Sequence, residues 1–392
     1  MRPSPASAAG RARMLAAAAA AACMAGCGSA ASQPAPARPP AVPQSLDTSA
    51  ATAGGTWAAI VMGGSSAQNN AFGQLFVRPS GTSTWKLVTP PGVATNGGLV
   101  LAGQDGRSLL AGFRPGVDLR FSPLTTTSDD GTHWSAASLI QAGLADVPDA
   151  LAAAPGSSTL LALAQGGIAE ESANSGAAWT QLATARSLAA SAAGRRCSPV
   201  TLTAISFTPD GTPLAAGTCA RPGMAGIFTR SGGTWQAAGP VLPASLAGQA
   251  TEVLRLTSTP TGNAALLIAG TGNTASLLTA WTAGSGTSWT LSAPLHLRTG
   301  TVRSSGFGTG GAVWVILGGG RAAAISSTGG TWRSLPALPA GTATLAFGPA
   351  GSLDALTVTH GVKLTDWRLA AGSSAWAKTQ TITVPIEYGS SG

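Results

Sequence analysis

Residues 342–384 read TATLAFGPAGSLDALTVTHGVKLTDWRLAAGSSAWAKTQTITV, and they display the unit from which most of the chain is built. Four strand-like runs follow one another: TATLAFGP, GSLDALTV, GVKLTDWRL and, after the turn AAGSSAW, the Trp-led run WAKTQTITV. β-Branched and apolar residues fill the runs, and Gly, Ser and Ala punctuate them, which is the pattern of short strands joined by tight turns. Working backwards from Trp376, the same ending recurs at Trp332, Trp289, Trp235, Trp179, Trp134 and Trp85, with spacings of 44, 43, 54, 56, 45 and 49. Each tryptophan closes a Gly/Ser/Thr turn, as in SSTGGTW, TAGSGTSW, TRSGGTW, SANSGAAW, TSDDGTHW and PSGTSTW. Two or three apolar runs precede each turn, and no long helical period appears.

Regular short strands with a periodic Gly/aromatic mark predict an all-β chain folded as a β-propeller of about seven four-stranded blades, over residues 52–392. Blade one looks incomplete. WAAIVMG, GQLFVRP and WKLVTP supply three strands, so a fourth must come either from the segment near Leu46–Thr52 or from the C-terminal PIEYG. The turn Thr127–Trp134, TSDDGTHW, resembles the Asp-box of sialidases and related BNR-type propellers, with Thr127, Asp129, Gly131 and Trp134 on its positions and His133 where Thr is usual. SANSGAAW keeps Ser172, Gly176 and Trp179 with Asn174 in the acidic place, and TAGSGTSW keeps Thr282, Gly286, Ser288 and Trp289. The resemblance implies a structural turn between the third and fourth strands, away from a catalytic face. There the carboxylate would accept backbone N–H groups, glycine would take the unusual angle and tryptophan would pack between sheets. Photosystem II assembly factors, which also use such repeats to hold partners, are similar in the same sense.

The first thirty residues carry a different message. Arg2, Arg11 and Arg13 precede an apolar run from Met14 to Gly26, a secretory signal over residues 1–26. Met24-Ala25-Gly26-Cys27 resembles the lipobox of bacterial lipoproteins, with Met24 where Leu is usual. The resemblance implies lipidation of Cys27 and a membrane anchor on the extracytoplasmic face; cleavage by ordinary signal peptidase is the competing reading. Residues 27–51 are proline-rich, nearly free of large apolar side chains, and are expected to act as a tether.

Removing Arg2, Arg11 and Arg13 with the signal lowers Lys+Arg from 22 to 19 against 14 Asp+Glu, a net charge of about +5. The arginines are scattered, charged residues are only 9% of the chain, and a GC-rich genome would produce this composition. With no basic run or aromatic-interleaved patch, nucleic acid is not an expected partner. Cys23 leaves with the signal and Cys27 takes lipid, so Cys197 and Cys219 remain as one expected disulfide. They stand nearly symmetrically about Asp210-Gly211, a good hairpin dipeptide.

Catalytic residues are not expected. A sialidase of this resemblance would use three arginines, a Tyr/Glu pair and an aspartate, yet the single tyrosine is Tyr388 and the Arg-Ile-Pro signature is absent. Arg120, Arg255, Arg303 and Arg368 fall on expected strands without a spacing that gathers them. Glu170 and Glu171 are adjacent and would point to opposite faces of a strand. His133, His296 and His360 are isolated, so no metal and no cofactor is expected. The expected product is a monomeric surface module that binds a protein, glycan or cell-wall component; the alternative is a divergent sialidase-like glycoside hydrolase.

Overall fold

The computed structural model describes residues 48–63, 71–90, 98–104, 106–114, 120–271, 274–298, 301–326 and 330–385. The signal, Cys27, most of the tether and Tyr388 lie outside the described residues.

The chain winds into antiparallel meanders. The first is β1 (Thr48–Thr52), β2 (Gly55–Gly63), β3 (Ala71–Pro79) and β4 (Lys86–Leu87), paired in that order. The second is β5 (Leu99–Gly103), β6 (Leu109–Phe113), β7 (Ser122–Thr127) and β8 (Ser135–Ile140). The third is β9 (Leu151–Ala153), β10 (Leu160–Ala164), β11 (Ile168–Ser172) and β12 (Thr180–Thr184), followed by the short helix α1 (Ala185–Ala190). A nine-stranded sheet comes next. It consists of β13 (Pro199–Phe207), β14 (Pro213–Cys219), β15 (Gly226–Ser231) and β16 (Thr234–Ala237), then β17 (Thr251–Thr259), β18 (Gly262–Ala269), β19 (Ser276–Thr282) and β20 (Trp289–Leu291). One pairing, Cys219 with Thr251, joins those two meanders, and β21 (Leu295–His296) adds to β19. The last two sheets are β22 (Val302–Phe307), β23 (Val313–Leu317), β24 (Ala322–Ile325), β25 (Arg333–Ser334), and β26 (Thr342–Phe347), β27 (Leu353–Thr359), β28 (Lys363–Leu369), β29 (Ala377–Thr383).

The leading strands β1, β5, β9, β13, β17, β22 and β26 are successive neighbours, and β26 returns to β1 and β2. The sheets therefore pack face to face around a ring, and both faces of each are covered. This is why second strands such as LLAGF, LLALA and VWVIL are apolar throughout and fully buried, where a one-sided sheet would alternate. Burial falls off outward, and β29 is mostly exposed. The core is a set of layers between neighbouring sheets, one of which joins Ile60, Phe76 and Trp85 of the first sheet to Leu356, Leu364 and Val384 of the last. The described residues thus bury their own core.

Two expectations meet the structure here. The missing strand of the first sheet is β1, whose register runs from Thr48 opposite Ala59 to Thr52 opposite Gly55. Composition places residues 48–51 in the tether, but pairing places them in the body. The small side chains of Ser49, Ala50 and Ala51 are buried or half-buried in the inner position, so low hydrophobicity there is a packing feature. Cys197 and Cys219 form a disulfide across the β13–β14 hairpin, with Cα atoms 4.9 Å apart.

Candidate functional site

In a four-strand meander the turns between strands one and two and between three and four lie at one end, here called the hairpin end. The turn between strands two and three and the link to the next sheet lie at the other, the connection end. The inner hairpins converge at the hairpin end around a central cavity of about 610 Å³. Ala53, Gly106, Pro155, Pro209, Pro260 and Gly310, each from a different hairpin, form its mouth. Its wall is contributed by inner strands through Ser49, Thr52, Ala152, Ser206, Thr257 and Ser258, among others.

One ion pair is buried in that wall. Arg255 Nε donates to Asp149 Oδ1 at 2.6 Å, the Leu256 N–H donates to Asp149 Oδ2 at 2.6 Å, and Arg255 Nη1 donates to the Ser305 carbonyl at 2.5 Å. Both carboxylate oxygens are therefore engaged, and the guanidinium also lies 5.9 Å from the Phe307 ring centroid. Burial raises the Asp149 pKa, while Arg255 and the Leu256 N–H pull against that rise. The pair bridges the third, fifth and sixth meanders and leaves no reactive oxygen free.

A second buried cluster closes the ring. Asp354 of β27, fully buried, pairs with Arg78 of β3 and with Arg368 of β28, whose Nε lies 2.7 Å from Oδ1. Trp85 Nε1 donates to Asp354 Oδ2 at 3.3 Å, and the Arg78 guanidinium sits 5.0 Å from the Trp85 ring centroid. Arg78 Nη2 reaches the Phe347 carbonyl at 2.5 Å. Burial, with the nearby positive Arg368, lowers the Arg78 pKa to about 10. Gln380 accepts from the Trp85 N–H at 2.7 Å and donates to its carbonyl at 2.9 Å, so the first and last sheets are joined by charge, amide and indole together.

The turn at Thr127–Trp134 lies between β7 and β8. Gly131 N–H donates to Thr127 Oγ1 at 3.0 Å, and His133 N–H donates to Asp129 Oδ1 at 2.9 Å. The His133 N–H, then its ring, hold the Asp129 carboxyl down at about 2. Asp130 and Gly131 take positive φ values of 58° and 79°, and a Cβ on Gly131 would meet Val88 at 2.6 Å, so the glycine is required twice over. Ser172, Asn174 and Gly176 repeat the arrangement, with Gly176 N–H to Ser172 Oγ at 2.8 Å and Ala178 N–H to Asn174 Oδ1 at 2.9 Å. Trp134 Nε1 donates to the Val88 carbonyl and Trp289 Nε1 to the Ala238 carbonyl, each pinning the preceding meander. These residues hold sheets together at the same end as the cavity mouth.

The other candidates disperse. Of the four arginines expected on strands, Arg255 lines the cavity, Arg368 is in the closure cluster, Arg303 is exposed at the connection end, and Arg120, exposed at the same end, stands off the strands just before β7. Glu171 faces Arg230 at 3.6 Å, and burial alone raises the Glu170 pKa. His133 contacts Asp129 and His296 contacts Ser276. Among the described residues no three His, Cys, Asp or Glu side chains group as metal ligands would. A larger groove of about 750 Å³ lies beside the last sheet, where Trp367 and Trp376 face Pro336 and Pro339 with Lys378 at the edge.

No family model and no curated protein matches this chain. Solved structures do resemble it. A protein from Lactobacillus plantarum shares 13% identity over 84% of this chain and 97% of its own, with a TM-score of 0.52. A Bacteroides fragilis protein assigned as a 6-phosphogluconolactonase shares 12% over 84% and 95%, with a TM-score of 0.51. YCF48 bound to a D1 peptide shares 16% over 82% and 92%, with a TM-score of 0.43. The neighbours are β-propellers, and the chain has a β-propeller fold.

Proposed function

We propose that the chain is a surface-anchored, non-catalytic propeller of seven four-stranded blades, one per meander, which binds a protein, glycan or cell-wall partner at its central cavity. The observation that carries this reading is the cavity wall. Ala, Ser, Thr and Pro side chains with exposed backbone offer shape and hydrogen bonds, and the acid–base pair within it is spent on holding three meanders together. Export and lipidation at Cys27 come from the signal and lipobox-like residues, and the box residues Thr127, Asp129, Gly131 and Trp134 keep a structural part. Fold likeness alone assigns no activity.

The test uses the exported protein with purified cell-wall sacculi and with crosslinking in intact cells. Saturable binding that falls at least tenfold in Ser258→Trp, a plug for the cavity, is the expected result. Turnover of aryl-glycosides that disappears in Asp149→Asn would instead establish a hydrolase. Cys27→Ser is expected to release the protein from membranes; full retention of that variant would sink the anchor.

A further inference from the structure

Folding places most of the exposed, unpaired cations of the described chain at one end. In the first half of the ring the connection end carries Arg120, Arg186, Arg195, Arg196 and Arg221, all exposed. In the second half it carries Arg298, Arg303, Arg321 and Lys363, also exposed. Each lies in a sheet-to-sheet link, in the turn between second and third strands, or at a strand's first residues. Arg221 reaches the Arg195 carbonyl at 2.7 Å and Arg303 the Thr342 carbonyl at 3.2 Å, which confirms their common end. None of the nine has a carboxylate partner among the described residues. The described carboxylates there are Asp146, paired with Arg114, Asp149 of the same link, buried and held by Arg255, and the mostly buried Glu252; Asp47, Asp118 and Glu387 are outside the described residues.

A second observation falls on the same end. The large apolar side chains left exposed in the described chain are Phe121, Leu139, Val200 and Val241, the last 67% exposed. All four stand where β7 and β13 begin, where β8 ends, or in the link between β16 and β17. Cations interspersed with protruding apolar side chains match an anionic bilayer surface, where charge attracts and apolar tips enter the headgroup boundary. A soluble polyanion would use the charge and not the apolar tips. Thr48, where β1 begins, is at this end too, and residues 28–47 link it to Cys27.

We propose that the connection end is a docking face for anionic phospholipid headgroups, which turns the central cavity away from the membrane. The orientation rests on the anchored reading above; the contact itself does not require lipid on Cys27.

The experiment uses residues 28–392, which keep the whole self-packed ring and lack Cys27, in cosedimentation with phosphatidylglycerol-containing and pure phosphatidylcholine vesicles. Preference for the anionic vesicles is expected, lost as salt rises from about 0.05 to about 0.5 M. Replacing Arg195, Arg196 and Arg221 by Ser is expected to weaken binding by roughly a hundredfold, about fivefold per arginine. An independent triple, Arg298→Ser with Arg303→Ser and Arg321→Ser, is expected to do the same. Lys86→Ser with Arg333→Ser and Lys378→Ser, on the outer wall at its hairpin end, should leave binding within about twofold. Phe121→Ser with Val241→Ser should weaken vesicle binding and leave any polyphosphate binding unchanged. Equal binding to both vesicle types, an equal loss in the outer-wall triple, or soluble polyphosphate binding as tightly per phosphate as the vesicles would overturn the proposal. Because the protein tested has no anchor, these outcomes are independent of whether Cys27 is lipidated.

Discussion

The two ends of the ring handle charge in different proportions. At the hairpin end Arg78, Arg107, Arg230 and Arg368 each meet a carboxylate, as Arg255 does midway along β17, while Lys86, Arg333 and Lys378 stand exposed on the outermost strands. Among the described residues of the connection end nine cations stand in solvent, and Arg114 is paired. The contrast teaches that one residue type serves two purposes here. A buried arginine must be partnered, since desolvation of a lone charge is costly, and the partner makes it a cross-sheet tie. An exposed arginine contributes little to the fold and is free to act on something outside it.

The sharpest break of this contrast is Asp354→Asn. It leaves Arg78 and Arg368 without their shared buried carboxylate, and we expect a loss of about 3–5 kcal/mol in denaturant unfolding. A loss below about 1 kcal/mol would mean that the closure is carried by the apolar layer around Trp85 and not by charge. Next in size is the tie at the connection end. Cys197→Ser with Cys219→Ser opens a covalent loop with a sequence separation of 22 and should cost about 3 kcal/mol, a loss that reduction of the native protein reproduces.

Glu252 gives a pH test at the same end. Burial raises its pKa from 4.5 to about 7, against a bond from Thr218. The fold therefore holds its proton more tightly than the unfolded chain does. The associated stability is fully present below about pH 4.5 and is lost as pH rises through about 7. Glu252→Gln should accordingly gain up to about 3 kcal/mol near pH 8 and nothing near pH 4, read from melting curves at the two pH values. A gain of equal size at both would assign the effect to packing. Smallest of all, Arg196→Ser and Arg321→Ser should each change stability by less than about 0.5 kcal/mol; a larger change would mean that these side chains are structural.

How much of this was legible beforehand depends on sequence separation. The turn at Thr127–Trp134 makes its bonds within a few residues, so the Asp-box resemblance could give Thr127, Asp129 and Gly131 their parts, and Asn174 took the acidic role as its chemistry suggests. The hairpin that brings Cys197 to Cys219 is equally local. Arg255 with Asp149, and Asp354 with Arg78, join residues from different meanders. No period or motif marks them, and the four arginines expected on strands could not be told apart without the ring. Strand β1 was one of two candidates for the missing strand and was also counted with the tether, because its residues are small and smallness reads as tether when the neighbouring strand is not in view.

By itself the amino-acid sequence determined the repeating four-strand unit, the Trp-closed turns and the disulfide, together with the expectations of export by the signal and of an anchor at Cys27. Those features rest on bonds and periodicities that act over one turn or one hairpin. Tertiary structure alone decided which strand completes the first sheet, which arginines are buried, and that cations scattered along the chain share one face. The physical reason is topological: alternate turns of every meander point the same way, so residues some 40 to 50 positions apart become neighbours on one surface.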